Sequence, residues 1–247
     1  MGIMFQLRRI TLHNIHWRIR WSWLFIKYGQ FPKFFGKRPF WYRCDLGWFS
    51  CPDFWTPSVF SYDHEPAVSD LIGELRGSVF VDVGANAGKY TVMAARNGNR
   101  VIAIEPSPET ASALRQTVKK NNLDDLVTVV EAAASDYDGV SEFEIATDST
   151  VSHLSGGRRD DPNILIKSKV QVKVLKLDSL IVGEKPGLIK IDVEGMDASV
   201  LRGARRLIAE GVPVTFEALN NDYYQECAKE LGGRHICRLD ERNYYAP

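Results

Sequence analysis

The sequence predicts an α/β fold: a doubly wound sheet, parallel except at one edge, behind a basic and aromatic N-terminal extension. Three observations lead there. Short apolar runs alternate with helix-period segments from residue 79 to residue 231, the pattern of a parallel sheet covered by helices. The run Val79-Phe-Val-Asp-Val83 breaks at Gly84 and regains helical spacing from Gly88, which opens a βαβ unit. The chain ends on two short strand-like stretches with no helix between them, which gives an antiparallel edge.

In chain order, residues 1–57 form the extension and residues 58–247 the main domain. All six tryptophans fall within the first 55 residues, and Met1 to Arg43 carries nine basic residues and no acid. Ile10 to Tyr28 could form an amphipathic helix, with Trp17, Trp21, Leu24 and Tyr28 recurring every three or four residues. Such a segment suits peripheral contact with an anionic membrane. A cap over the main domain or a wall of the substrate pocket accounts for it as well. Pro32, Gly36, Pro39, Gly47, Pro52 and Pro57 break the next stretch into loops. Glu65 to Leu75 reads as a helix, Val79 to Val83 as the first strand and Lys89 to Asn97 as the first crossover helix. Arg100 to Ile104 is the second strand, Pro108 to Asn121 the second helix and Leu126 to Val130 the third strand. Gly139 to Ala146 and Val170 to Val174 alternate as a strand pair. The intervening Thr147 to Ser168 has the length and composition of a lid or a disordered loop. Leu177 to Ile181 starts a short helix, Leu188 to Asp192 is a strand and Asp197 to Ile208 a helix. Val212 to Leu219 is a strand, Tyr223 to Leu231 a helix, and His235 to Leu239 with Tyr244-Tyr245 a closing hairpin.

Composition bounds the function. The 247 residues carry zero formal net charge and 45% hydrophobic residues, as in an ordinary globular protein. The charge balance gives no argument for nucleic acid, and no nucleic-acid partner is expected. Cys44, Cys51, Cys227 and Cys237 form no CxxC pair, so zinc is not expected. A Cys44–Cys51 disulfide is conceivable, but reduced thiols in a cytoplasmic enzyme fit better. No stretch is apolar enough to cross a membrane, and the N-terminus lacks a secretory pattern.

The glycine turn Gly84-Ala-Asn-Ala-Gly88 should leave helix-terminal N–H groups free for a polar cofactor. Asn86 stands where a nicotinamide fingerprint has its middle glycine, whose absence hinders close pyrophosphate contact. S-adenosylmethionine has no pyrophosphate, and its cationic sulfonium and amino group suit Asp82 at the strand end. Glu105 follows Gly84 by 21 residues, near the spacing of about 20 at which an acid grips ribose hydroxyls. Ribose is common to both cofactors, so Glu105 does not separate them. The small residues Ala132 and Ala133 leave room for a flat ring.

Five blocks in order resemble the FkbM family of S-adenosylmethionine-dependent methyltransferases. They are Val81-Asp-Val-Gly-Ala-Asn-Ala-Gly88 with Tyr90-Thr91, Ile104-Glu-Pro-Ser-Pro108, Val130-Glu-Ala-Ala-Ala-Ser-Asp136, Leu177-Asp-Ser-Leu180, and Ile189-Lys-Ile-Asp-Val-Glu-Gly195 followed by Val200-Leu-Arg-Gly-Ala204. The resemblance covers roughly residues 65 to 220 and leaves the extension out. It implies the class I, Rossmann-like methyltransferase fold, a seven-stranded sheet with its last strand antiparallel. It implies methylation of a hydroxyl on a sugar, glycan or other small metabolite. By motif position it places Asp82, Gly84, Asn86, Gly88, Tyr90 and Thr91 toward the methionine end of the cofactor. Glu105 and Pro106 fall toward the ribose, and Glu131, Ala132 and Ala133 toward adenine. Asp192 falls near the methyl group. Met196 departs from the family pattern, which favours a small residue there.

An alcohol acceptor gains from a base within hydrogen-bond reach. Asp192 and Glu194 are the candidates, with His153 reaching in from the long loop. His153 as a solvated loop residue and Glu194 as a helix-terminal carboxylate are the plainer readings. Oxygen donors at Asp192, Glu217 and Asn221 admit a magnesium or calcium site, but strand-end acids more often serve cofactors or helix termini, and no metal is predicted. A nicotinamide-dependent oxidoreductase and a non-catalytic membrane-peripheral module are the alternatives. The sequence does not specify the oligomeric state.

Overall fold

The computed structural model describes residues 40–53, 55–60, 64–157 and 164–247. The proposed amphipathic segment Ile10 to Tyr28 lies outside the described residues. The main sheet takes strands β3 (Val79–Val83), β4 (Arg100–Ile104), β5 (Val127–Val130), β10 (Leu188–Ile191), β11 (Val214–Glu217), β12 (Cys237–Arg238) and β13 (Asn243–Ala246) in the order β5–β4–β3–β10–β11–β13–β12. The first five are parallel, β13 runs antiparallel to β11, and β12 pairs antiparallel with β13. This is the class I methyltransferase sheet, with β3 and β10 at its centre. Every residue of β10 is buried, as are all but the first of β3, as expected for strands covered on both faces.

Helices α1 (Pro66–Glu74), α2 (Lys89–Arg96) and α3 (Pro108–Lys120) cover one face. Their core joins Val68, Ile72, Val92 and Leu114 to Phe80 and Val101. Helix α3 starts where Ser107 Oγ accepts the Thr110 N–H at 3.3 Å, with Pro108 in the first turn, and ends on Lys119 and Lys120, whose charges suit the helix C-terminus. The other face is covered by α4 (Leu177–Leu180), α5 (Asp197–Arg202), α6 (Arg205–Ala209) and α7 (Asn221–Glu230). Asn220 caps α7 by accepting the Asp222 and Tyr223 N–H groups.

The structure differs from the sequence expectation in three places. Residues 40–51 form a hairpin, β1 (Phe40–Cys44) and β2 (Gly47–Cys51), joined by a two-residue turn. It lies on α3: Trp48 N–H donates to Asn121 Oδ1 at 3.1 Å and Ser50 N–H to Thr117 Oγ1 at 2.9 Å. Its Phe49 ring stacks on Phe60 at 4.0 Å. Cys44 sits opposite Gly47 and Cys51 opposite Phe40, at opposite ends of the ladder, and all four cysteines are free. The expected helix Asp197 to Ile208 is split into α5 and α6. A Cβ on Gly203 would meet the Ser135 carbonyl oxygen at 1.9 Å, so the chain passes too close there for any other residue. Asp178 then caps α6 by accepting the Arg206 and Leu207 N–H groups.

The described part of the long loop carries regular structure. A second sheet holds β6 (Ala133–Ala134), β7 (Gly139–Ala146), β8 (His153–Leu154) and β9 (Ile166–Leu175) in the order β6–β9–β7–β8. The strand pair of the sequence reading is present, but β9 begins earlier, and β8 and a 3-10 turn, Ser149–Val151, occupy the loop. The described residues contain no helix long and apolar enough to cross a membrane.

Candidate active site

A cavity of about 250 Å³ opens at the carboxyl ends of β3, β4, β10 and β11, where open α/β sheets place their ligands. The glycine loop forms one wall. Gly84 has a φ of +75°, and a Cβ there would meet the Asp192 carbonyl at 1.9 Å. The position therefore requires glycine twice over, by backbone conformation and by the approach of β10. Asn86 also takes a left-handed conformation, φ 49°, which asparagine tolerates because its side chain bonds locally. Its Oδ1 accepts the Ala87 N–H at 2.7 Å.

Within the turn itself, the N–H groups of residues 84–88 donate to protein acceptors. Gly84 and Ala85 both donate to the Ile104 carbonyl at 3.0 Å, and Gly88 donates to Ala85. Asn86 N–H donates to Glu105 Oε2 at 3.0 Å. The loop closes on itself and on Glu105, so its N–H groups are engaged within the protein. Ser107 N–H donates to Glu105 Oε1 at 2.9 Å, fixing the carboxylate from both sides at the cavity wall. Burial pushes the Glu105 carboxyl up to about 7 against these two N–H groups.

The structure brings Gly84, Asn86, Gly88, Tyr90, Glu105, Pro106, Ala132, Ala133, His153, Asp192 and Glu194 around this one cavity. Asp82, Thr91 and Glu131 are not on its lining. Asp82 is fully buried beneath the loop and accepts from Thr91 Oγ1 at 2.6 Å; burial raises its pKa, with Lys190 and Thr91 opposing. Glu131 turns outward to pair with Arg115 at 2.9 Å. Met196 lines the cavity and packs against the small core of Ala133, Phe143 and Val172.

The other end of the cavity is charged. Asp192, Glu194 and Glu217 bring carboxylate oxygens within 4.8 Å of one another, close enough to hold a cation together; Asn221 is not on the cavity lining. Burial, then Asp192 and Glu194, push the Glu217 carboxyl up to about 9, with Arg242 opposing at 3.7 Å. His153, on β8, is buried. Its Nδ1 lies 2.9 Å from the Val151 carbonyl and its Nε2 3.5 Å from Glu144 Oε2. A carbonyl only accepts, so Nδ1 carries a proton.

Lys190, Glu65 and Arg242 are among the wall residues that escaped the sequence reading. Lys190 had a signal, a lone charge inside the apolar run Leu188 to Ile191. Glu65 had none: its left-handed backbone before Pro66 and its bonds from Tyr90 Oη at 2.6 Å and Asn243 Nδ2 at 3.0 Å exist only in the fold. Burial would raise the Glu65 carboxyl, but Lys190, His64 and these bonds hold it below its usual value. Arg242 comes from the loop before β13, far away in sequence.

A family profile described as the FkbM methyltransferase domain matches residues 82–244. The chain belongs to the FkbM methyltransferase family. The probable protein arginine N-methyltransferase 6.1 of Oryza sativa subsp. indica is 35% identical to it over 82 residues, which is 33% of this chain and 21% of that protein. The tRNA (guanine(37)-N(1))-methyltransferase of Danio rerio is 34% identical over 84 residues, 34% of this chain and 17% of that protein. The chain thus spans about a fifth of the length of the curated relatives it matches. Among solved structures, the FkbM methyltransferase of Methylobacillus flagellatus KT aligns at a TM-score of 0.49 and 21% identity, over 70% of this chain and 45% of that one. The Pyrococcus abyssi tRNA (uracil-54, C5)-methyltransferase, in complex with S-adenosyl-L-homocysteine, aligns at 0.51 and 16% identity over 86% and 44%. At 16% identity the last of these shows a shared fold alone.

Proposed function

We propose that this FkbM-family chain binds S-adenosylmethionine in the cavity and methylates a hydroxyl oxygen of a sugar, glycan or other small metabolite. The observation that carries the donor is Glu105, whose two oxygens are each fixed by one backbone N–H at the cavity wall. Each oxygen keeps a lone pair for a ribose hydroxyl. Ala132 and Ala133 leave space for adenine, and Gly84, Asn86, Gly88 and Tyr90 flank the methionine end. Asp82 and Thr91 would act from beneath that wall, and Glu131 only through its backbone. Residues 58–247 form the catalytic unit in this reading, with the hairpin of residues 40–51 buttressing it.

When bound, the donor supplies an electrophilic methyl group on a sulfonium leaving group. The chain must align the acceptor oxygen with it and accept a proton from that oxygen. Asp192 and Glu194 are placed for this, and His153 Nε2 is the alternative. Glu217 is poorly suited, because a carboxyl titrating near 9 already holds its proton at neutral pH.

The cluster of Asp192, Glu194 and Glu217 favours a second reading, an amine acceptor drawn in as its cation, which gives a proton to Asp192 or Glu194 before its nitrogen lone pair takes the methyl group. An acceptor screen read out as S-adenosylhomocysteine release, run with and without a chelator, separates the two and tests whether a divalent cation takes part. Turnover of hydroxyl compounds supports the first reading; turnover of amines alone replaces it with the second. Contact of residues 1–39 with an anionic membrane belongs to the same proposal, and vesicle co-sedimentation tests it.

A further inference from the structure

Lys190 is only 5% exposed, inside an otherwise apolar strand. A buried ammonium is tolerated when carboxylates compensate it, and here several do. Nζ donates to Asp192 Oδ2 at 3.0 Å and lies 3.8 Å from Asp82 Oδ1. Residues 190 and 82 are direct partners across β10 and β3. Asp82 Oδ1 has no hydrogen bond of its own, so Lys190 is the charge that answers it. The ammonium also lies 5.1 Å from the Tyr90 ring centroid. Burial pulls its pKa down, but Asp192, Asp82 and Glu65 outweigh burial and hold it above the usual lysine value. Lys190 is therefore a fixed positive charge on the cavity wall, set among carboxylates.

We propose that Lys190 is an electrostatic positioning residue: through Asp192 and Asp82 it cancels part of the carboxylate charge at the methyl end, and so sets how strongly the site prefers S-adenosylmethionine to S-adenosylhomocysteine. The inference rests on the proposed binding of S-adenosylmethionine in this cavity. The two molecules share adenosine and the amino-acid tail. They differ by one methyl group and one positive charge at sulfur. Uncompensated carboxylates would hold the sulfonium tightly, yet that charge disappears as the methyl departs. Attraction lost in the transition state raises the barrier. A lysine built into the wall trims this attraction without occupying the space of the ligand.

The test is calorimetric titration of both molecules into the wild-type chain and into Lys190→Met, Lys190→Arg and Asp192→Asn, at about pH 8, where Glu105 is mostly ionised. The readout is the dissociation constant for S-adenosylhomocysteine divided by that for S-adenosylmethionine. Lys190→Met should raise this ratio about tenfold, because one unit charge is removed near the sulfur. Lys190→Arg, which keeps the charge, should leave it within about twofold of wild type. Asp192→Asn should lower it. A purely structural lysine would weaken both ligands alike and leave the ratio fixed. An unchanged ratio in Lys190→Met, or an arginine variant that shifts like the methionine one, overturns the proposal. If Lys190→Met does not fold, an unchanged or raised ratio in Asp192→Asn does so. If the wild-type chain binds neither molecule, the donor reading falls and takes this inference with it. If it binds both and the ratio does not move, only the role of Lys190 falls.

Discussion

Glu105 is the residue on which the donor reading can be tested alone. Its carboxylate is held by Asn86 and Ser107 N–H groups, so Glu105→Ala removes a preorganised acceptor. S-adenosylmethionine affinity should fall by about 1–3 kcal/mol, read by calorimetry; unchanged affinity would place the ribose elsewhere. Asp192→Asn should cut turnover more than donor affinity if Asp192 takes the acceptor proton, and equal losses in steady-state and binding measurements would leave it a binding residue only. Glu217 links the site to stability. Its carboxyl titrates near 9 in the fold against an ordinary 4.5, so it binds a proton more tightly folded than unfolded. Its contribution is complete below about pH 4.5 and is lost as pH rises toward 9. Glu217→Gln should therefore raise the melting temperature of the ligand-free chain more at pH 8.5 than at pH 5. A gain that is the same at both pH values would show that Glu217 is not protonated in the fold. At this scale the sequence revealed residues tied to local motifs, such as Glu105, spaced from the glycine turn, and Asp192, closing an apolar strand. It did not reveal Glu65 and Arg242, because the walls they join come from segments distant in sequence.

At the scale of elements, β3, its glycine turn and α2 were legible because hydrophobic period and turn chemistry agree there. The same agreement held for β4, α3, β10 and the closing pair β12 and β13. Legibility failed where tertiary contact overrode local pattern. The split between α5 and α6 falls at Gly203, whose carbonyl accepts the Asp178 N–H and where the Ser135 carbonyl leaves no room for a side chain, which no helical period reports. The β1–β2 hairpin was obscured because its aromatic residues read as loop between prolines, whereas Asn121 and Thr117 on α3 satisfy its free N–H groups. Two substitutions test this layer. Asp178→Ala removes the cap of α6 and should cost about 1–2 kcal/mol in chemical denaturation. Gly84→Ala must push the Asp192 carbonyl aside and strain a positive φ, and should destabilise by about 2–4 kcal/mol or prevent folding. A wild-type denaturation midpoint in either variant would contradict the packing described.

For the whole molecule, two cores on opposite faces of one sheet hold the cavity at the strand ends. Phe49 and Phe60 belong to one of those cores, so a truncation that tests the basic N-terminus should stop before Phe40. Removing residues 1–39 should abolish salt-sensitive co-sedimentation with anionic vesicles if that segment contacts lipid, and identical sedimentation of both chains would remove membrane contact from the account. The order of strands was readable from alternation, and the antiparallel edge from the absence of a final crossover helix. The extra sheet above the cavity was only half legible, because β8 is two residues long. All of this converges on one cavity, proposed to hold a nucleoside, and calorimetric titration of the full chain with S-adenosylmethionine and with NAD tests it most directly. The account predicts saturable, one-to-one binding of S-adenosylmethionine that Glu105→Ala weakens, and none of NAD. Binding of NAD with no response to S-adenosylmethionine would contradict it.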